Sequence, residues 1–203
     1  MQESIEIRNA KQEDIDKVVE LENEIWPEGT RASREKFESR FKIFPQGFFV
    51  AFKNNQMIGV STSEIINYDV QNPPTSWESI TDNGFIEKTH ITDGTSLYVV
   101  SIGAISRSGA GSALLEAQKK LKQELGLEFL VLGARIPGYG SYYETKGKID
   151  IQDYVKLKRE DGQLLDPELR FYSRNGLKLS KIVPNYMEDD RESRNFGAIV
   201  NYE

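Results

Sequence analysis

The chain has 203 residues, of which 38% are hydrophobic and 29% charged, with a formal net charge of −6 and no cysteine. That length accommodates one sizeable core, and a single domain over 1–203 is expected. The acidic balance argues against a nucleic-acid partner, which needs a basic footprint, and the lack of thiols excludes disulfides, thiolate catalysis and zinc–thiolate centres.

The N-terminal stretch MQESIEIRNA is too polar for a signal peptide, and no apolar run approaches membrane-spanning length. A cytoplasmic protein with no membrane partner is therefore expected. Within that stretch IEIRNA alternates as a strand does, and Gln12, Glu13 and Asp14 then suit the first turn of a helix. Ile15, Val18, Val19, Glu22 and Ile25 keep helical spacing up to Trp26, before Pro27. A second short helix is predicted over Ser33 to Phe44, capped by Ser33. Phe48 to Lys53, an Asn54-Asn55 turn and Met57 to Tyr68 read as a hairpin.

A loop rich in Pro, Gly, Asp and Asn leads to a strand over Ser96 to Ile105. The helix after it, Gly109 to about Leu125, turns Leu114, Leu115, Gln118, Leu121 and Leu125 inward and leaves Lys119, Lys120 and Lys122 in water. LEFLVLGARI is apolar almost throughout, as in a strand covered on both faces. Residues Pro137 to Leu165 are polar and aromatic, with a short helix at IQDYVKLKRED. A further helix starts at Asp166-Pro167 and stops at Asn175-Gly176, and two strands, LKLSKIVPNY and FGAIVNY, close the chain around a charged loop, Glu188 to Arg194. The order is β-α-α-β-β-β-α-β-α-β-β, an α/β arrangement about one central sheet.

One stretch points to chemistry. In SRSGAGS, Gly109 and Gly111 stand at a strand-to-helix junction, where free N–H groups and the helix dipole favour an anion. Glycine there lets a pyrophosphate reach the main chain. The alternative is a plain glycine-rich loop. A P-loop is ruled out because no lysine follows the second glycine, and Leu114 occupies the place of a Rossmann fingerprint's third small residue.

Ser106-Arg107-Ser108-Gly109-Ala110-Gly111 resembles motif A of the GNAT superfamily of acyl-CoA-dependent N-acyltransferases, Q/R-x-x-G-x-G/A, with Ser106 in place of the usual Gln or Arg. Tyr172-Ser173-Arg174-Asn175-Gly176-Leu177 is similar to the same superfamily's Y-x-x-x-G-F, with Leu for Phe. ARIPGY, DPELRFYSRNG and VPNYMEDDRESR look like the acetyltransferase domain found fused to carbon–nitrogen hydrolases, expected here as a domain standing alone. The resemblance implies a GNAT-like fold, a central, mixed, mostly antiparallel sheet flanked by helices, with an insertion after the fifth strand on the substrate side.

It also implies acetyl-CoA as cosubstrate, no metal, and direct transfer of acetyl to a primary amine. By that likeness Arg107, Ser108, Gly109, Ala110, Gly111 and Ser112 would hold the pyrophosphate. Ser101, Ile102, Gly103 and Ala104 would pair with the pantetheine, with either Ser101 or Ala104 closing the strand. Gly103 either marks a bulge that admits the pantetheine or relieves a tight packing contact. Tyr172 would protonate the departing thiolate; its other reading is a core tyrosine. For the base, Glu64 is the leading candidate, with Glu144, Asp189, Asp190 and the single histidine, His90, behind it; each also reads as a solvated charge or loop residue.

Tyr139, Tyr142, Tyr143 and Tyr154, beside Glu188, Asp189, Asp190 and Glu192, would suit a cationic amine, or else only anchor a polar flap. A small-molecule or peptide amine is the expected acceptor, and a homodimer is compatible with the sequence. The competing reading is a non-catalytic acyl-CoA binding or interaction module.

Overall fold

The computed structural model describes residues 4–203, so the first three residues of the polar N-terminal stretch lie outside the described residues. The strands are β1 (Glu6–Asn9), β2 (Phe49–Lys53), β3 (Gln56–Ile66), β4 (Ser96–Ala104), β5 (Phe129–Ala134), β6 (Lys178–Val183) and β7 (Gly197–Tyr202). The α-helices are α1 (Ile15–Ile25), α2 (Arg34–Ile43), α3 (Trp77–Ile80), α4 (Ala110–Glu124), α5 (Gly138–Thr145), α6 (Ile151–Tyr154) and α7 (Pro167–Arg174). The seven strands are ordered β1-β2-β3-β4-β5-β7-β6 in a mostly antiparallel sheet. This is the expected α/β order, with α3 added between β3 and β4 and the helices α5 and α6 built into the stretch after β5.

The chain forms two compact units, one reaching to Tyr68 and including Thr81–Leu130, the other made of Asp69–Ile80 and Val131–Tyr202. In the first unit the hairpin forms as its turn residues dictate. Asn54 and Asn55 adopt φ of 51° and 63°, the left-handed pair that a two-residue hairpin loop requires. Alternation along β2 sends Val50 to one face and Ala51 to the other. Val50 joins Ile15, Val18 and Leu21 of α1 and Phe37 of α2, whereas Ala51 joins Ala110 and Leu114 of α4. Gly59 allows this last approach, because a Cβ there would come within 2.8 Å of the Leu114 methyl.

Helix α4 differs from expectation at its edges. Lys119 and Lys122 are each only 8% exposed, whereas Leu125, one residue beyond the helix, is 38% exposed. Their long aliphatic stems carry the two lysines along apolar surface, as amphipathic side chains permit.

The second unit is organised by Asp166. One carboxylate oxygen caps α7 by accepting from the N–H groups of Glu168 (3.0 Å) and Leu169 (3.1 Å). The other accepts from Gly138 N–H at 2.9 Å and from the Tyr154 hydroxyl at 3.4 Å. A single cap thus ties the starts of α5 and α7 to the end of α6. Helix α7 ends as Asn175-Gly176 predicts. Gly176 takes φ of 82°, Gly176 N–H donates to the Ser173 carbonyl, and Leu177 N–H donates to the Tyr172 carbonyl.

Candidate functional site

The glycine loop lies in the first unit, between β4 and α4. Ser108 N–H donates to the Ile105 carbonyl, closing a turn in which Arg107 has φ of 60°, and Gly109 follows at φ 84° as the N-cap of α4. No side chain caps the helix at Gly109. The Ser108 hydroxyl instead accepts from Ala110 N–H at 3.2 Å. Gly111 and Ser112 sit in the first turn, so their N–H groups have no partner within the helix itself. Ser106, Arg107, Gly109 and Ser112 are exposed. The loop is therefore an open helix N-terminus of 15 helical residues, suited chemically to an anion.

Strand β4 extends through Ala104, and Ile105 N–H still donates to the Ile58 carbonyl, which fixes Ala104 as the strand's end. A bulge is present, but not at Gly103. Thr62 pairs with Ser101 and Ser63 with Val99, leaving Val100 as the extra residue, while Gly103 pairs regularly with Val60. Gly103 instead relieves close packing, since a Cβ would lie 2.6 Å from Ile25 Cδ1 and 3.0 Å from the Trp26 indole nitrogen. Ser101, Ile102 and Ala104 are half-buried at this end.

Beside the bulge lies a buried polar cluster that the sequence did not announce. Arg40, on α2, is 1% exposed. Its Nε donates to the Gly84 carbonyl at 2.7 Å, and its Nη1 donates to the hydroxyls of Thr62 (3.3 Å) and Ser101 (3.1 Å). Those two hydroxyls are themselves 2.9 Å apart. Arg40 Nη2 is buried and has no protein acceptor. Burial lowers the Arg40 pKa to about 10, against the pull of Glu22 and Glu64, so the guanidinium stays charged at neutral pH.

Glu64 is not a solvated charge. It is 0% exposed, its Oε2 accepts from the Thr89 hydroxyl at 2.6 Å, and its Oε1 is buried without a protein partner. Burial pushes its pKa up to about 8, although Thr89 and Arg40 both favour the ionised form. His90 uses Nδ1 to accept from Ile65 N–H at 3.2 Å, which puts the ring proton on Nε2 of the neutral imidazole. Burial lowers its pKa as well, so Nε2 is a donor rather than a base.

In the second unit Tyr172 is 6% exposed on α7. Burial, and secondly the charge of Glu168, raise its pKa well above the usual phenol range, so this hydroxyl is strongly perturbed. Glu168 was missed in the sequence, where a glutamate after Asp-Pro reads simply as a first-turn acid. Burial lifts its pKa to about 7, with the Arg135 charge opposing. The guanidinium of Arg135 donates to both oxygens of Asp190, at 3.0 and 2.6 Å, and to Glu192 at 2.7 Å.

The expected aromatic acceptor surface is an internal cluster instead. Tyr139 and Tyr154 are buried with ring centroids 5.1 Å apart, and the Tyr139 hydroxyl donates to the Ile149 carbonyl. Arg194 covers the Tyr143 ring at 3.9 Å, and Arg135 occupies Asp190 and Glu192. The chain's own cations thus occupy Tyr143, Asp190 and Glu192, while Tyr142 is half-buried and Glu188 exposed. Glu144 and Asp189 are exposed. Among the described residues no group of three His, Asp or Glu side chains assembles to hold a metal, and no helix is long and apolar enough to cross a membrane.

No family model matches the chain. It is 33% identical over 199 residues to "Probable hydrolase YhcX" of Bacillus subtilis (strain 168), covering 97% of this chain but only 38% of that protein's length. It is also 33% identical over 207 residues to "Uncharacterized N-acetyltransferase YkwB" of the same organism, covering 98% of this chain and 89% of the relative.

Among solved structures, the loading GNATL domain of CurA from Lyngbya majuscula superposes with a TM-score of 0.83 at 24% identity, covering 98% of each chain. The GphF GNAT-like decarboxylase in complex with isobutyryl-CoA gives 0.82 at 24% identity, covering 97% of this chain and 98% of that one. The chain belongs to the GNAT superfamily of acyltransferases.

Proposed function

We propose that the protein moves an acetyl group from acetyl-CoA to a primary amine by direct attack, without an acyl-enzyme. The observation that carries this reading is the open N-terminus of α4 directly after β4, with Gly109 at φ 84° and no side-chain cap. In it the N–H groups of Gly111 and Ser112, with Arg107 and Ser108 beside them, hold the pyrophosphate, and residues 101–104 take the pantetheine amides.

The amine attacks the thioester carbonyl, the C–S bond breaks, and the thiolate takes the Tyr172 proton. The amine's proton passes to a carboxylate. Glu168, with its pKa near 7, fits that task, and Glu64 is the second candidate. The test is release of free coenzyme A from acetyl-CoA across a panel of amines, run beside calorimetry of acetyl-CoA binding. Amine-dependent release is expected; binding with no release by any amine would leave only a binding module.

A second reading, decarboxylation of a carboxylated acyl-CoA, draws on the likeness over nearly the whole chain to the GphF GNAT-like decarboxylase. Carbon dioxide release from malonyl-CoA without an amine distinguishes it from transfer.

A further inference from the structure

We infer that Arg40 is a receptor for a substrate carboxylate, its Nη2 donating to a carboxylate oxygen beside Ser101 and Thr62 at the bulged part of β4. This deepens the acyl-transfer reading and rests on it. The first support is geometric. Three of the guanidinium's nitrogens serve different ends: Nε is committed to Gly84 and Nη1 to the Thr62–Ser101 hydroxyl pair, while Nη2 is buried with no protein acceptor. An unmet donor on a charged group is costly, and such groups persist mainly where something completes them.

Charge is the second support. Glu22 and Glu64 are the acids that pull on Arg40, yet neither forms an ion pair with it within 4 Å among the described residues. Glu22 instead accepts from Ala32 N–H at 2.8 Å, and Glu64 from Thr89. Burial raises the pKa of both acids, that of Glu64 to about 8, so Glu64 gives the Arg40 charge little compensation at neutral pH. Position is the third. The hydroxyl that Arg40 holds belongs to Ser101, which is half-buried, so one member of the cluster borders the surface at β4.

A carboxylate here has two sources, an acceptor that is an amino acid or an acyl group such as malonyl.

The experiment uses the full chain and paired ligands. One arm compares L-phenylalanine with phenethylamine and L-leucine with isopentylamine as acceptors of acetyl. The other compares malonyl-CoA with propionyl-CoA. Thermal shift reads binding without turnover, and coenzyme A release reads kcat/KM. One arm should favour the carboxylate member by roughly tenfold to a hundredfold, the range of a charge-assisted hydrogen bond. Arg40→Gln should erase that preference. Equal binding and use of both members in both arms overturns the inference whether or not the variant folds. So does a carboxylate preference that survives in folded Arg40→Gln. Amine transfer without any carboxylate preference would sink this inference alone and leave the acyl-transfer reading standing.

Discussion

Burial, together with the charge of Glu168 one helical turn earlier on α7, holds the Tyr172 proton tightly. A phenol so perturbed is a poor acid for a thiolate of pKa about 8.5 while Glu168 is ionised. In the proposed transfer, proton uptake by Glu168 removes the smaller of the two causes while burial remains, and the protonated Glu168 can restore the phenol afterwards. Tyr172→Phe is expected to lower kcat by about 10²–10⁴ with acetyl-CoA affinity kept. Glu168→Gln should remove the rise in kcat/KM as pH passes upward through about 7. An unchanged pH profile in Glu168→Gln would exclude the pairing.

The second prediction concerns the glycine loop. Gly109 is at φ 84°, so Gly109→Ala places a Cβ in the left-handed region at a cost of about 1–2 kcal/mol. Gly111→Val instead puts a branched side chain on the first turn, where the anion would approach. Calorimetry should show acetyl-CoA binding lost in Gly111→Val while the thermal midpoint stays near that of the parent. Full affinity in the folded variant would remove the loop from the site.

Helix α7 was legible because its signals are local: Asp166 and Pro167 open it and Gly176 closes it. Asn54-Asn55 marks its hairpin for the same reason. Helix α5 was not legible, because GYGSYYET has weak intrinsic helicity and is held by distant partners. Gly138 N–H donates to Asp166 at 2.9 Å, and Gly140 N–H to the Glu192 carbonyl at 2.7 Å. Gly140 is required there, since a Cβ would lie 2.7 Å from that carbonyl oxygen. Arg40 escaped notice on similar grounds. An arginine on a polar helix reads as a solvated charge, and its partners Gly84, Thr62 and Ser101 come from remote segments. The position of the bulge depends on the pairing of β3 with β4, which composition does not encode.

The third prediction concerns stability. Arg135 and Asp190 have side chains 12% and 1% exposed and share a two-pronged ion pair. Burial opposes the ionised form of Asp190, but the Arg135 and Ser193 hydrogen bonds outweigh it and hold its pKa below the usual carboxylate value. Arg135→Ala would strand that carboxylate and expose Glu168 to an unbalanced neighbour. Destabilisation of about 3–5 kcal/mol is expected at neutral pH, read from urea midpoints. Because the native pKa is lowered, the pair's contribution is present above the unfolded carboxylate pKa and fades as pH falls through the native one. Parent and variant should therefore converge in acid. A neutral-pH loss below about 1 kcal/mol would reduce the pair to a surface-like contact.

Glu64 supplies a test of opposite sign. Its carboxyl is fully buried, with burial raising its pKa to about 8 against Thr89 and Arg40, and Asp82 adding to the rise. Between the ordinary carboxylate range and about 8, the native state keeps a proton that the unfolded chain has released. Stability must then fall as pH rises through that window, by up to about 1.4 kcal/mol per pH unit for one proton. Glu22, Asp82 and His90 also lie around the cluster, and they are common to both proteins compared. Glu64→Gln keeps the shape and the hydrogen bond from Thr89 but no longer titrates. Urea midpoints measured from about pH 5 to about pH 9 should decline more steeply in the parent than in Glu64→Gln. Parallel profiles would mean that Glu64 is ionised in the native state, and the weak compensation argued for Arg40 would disappear with it.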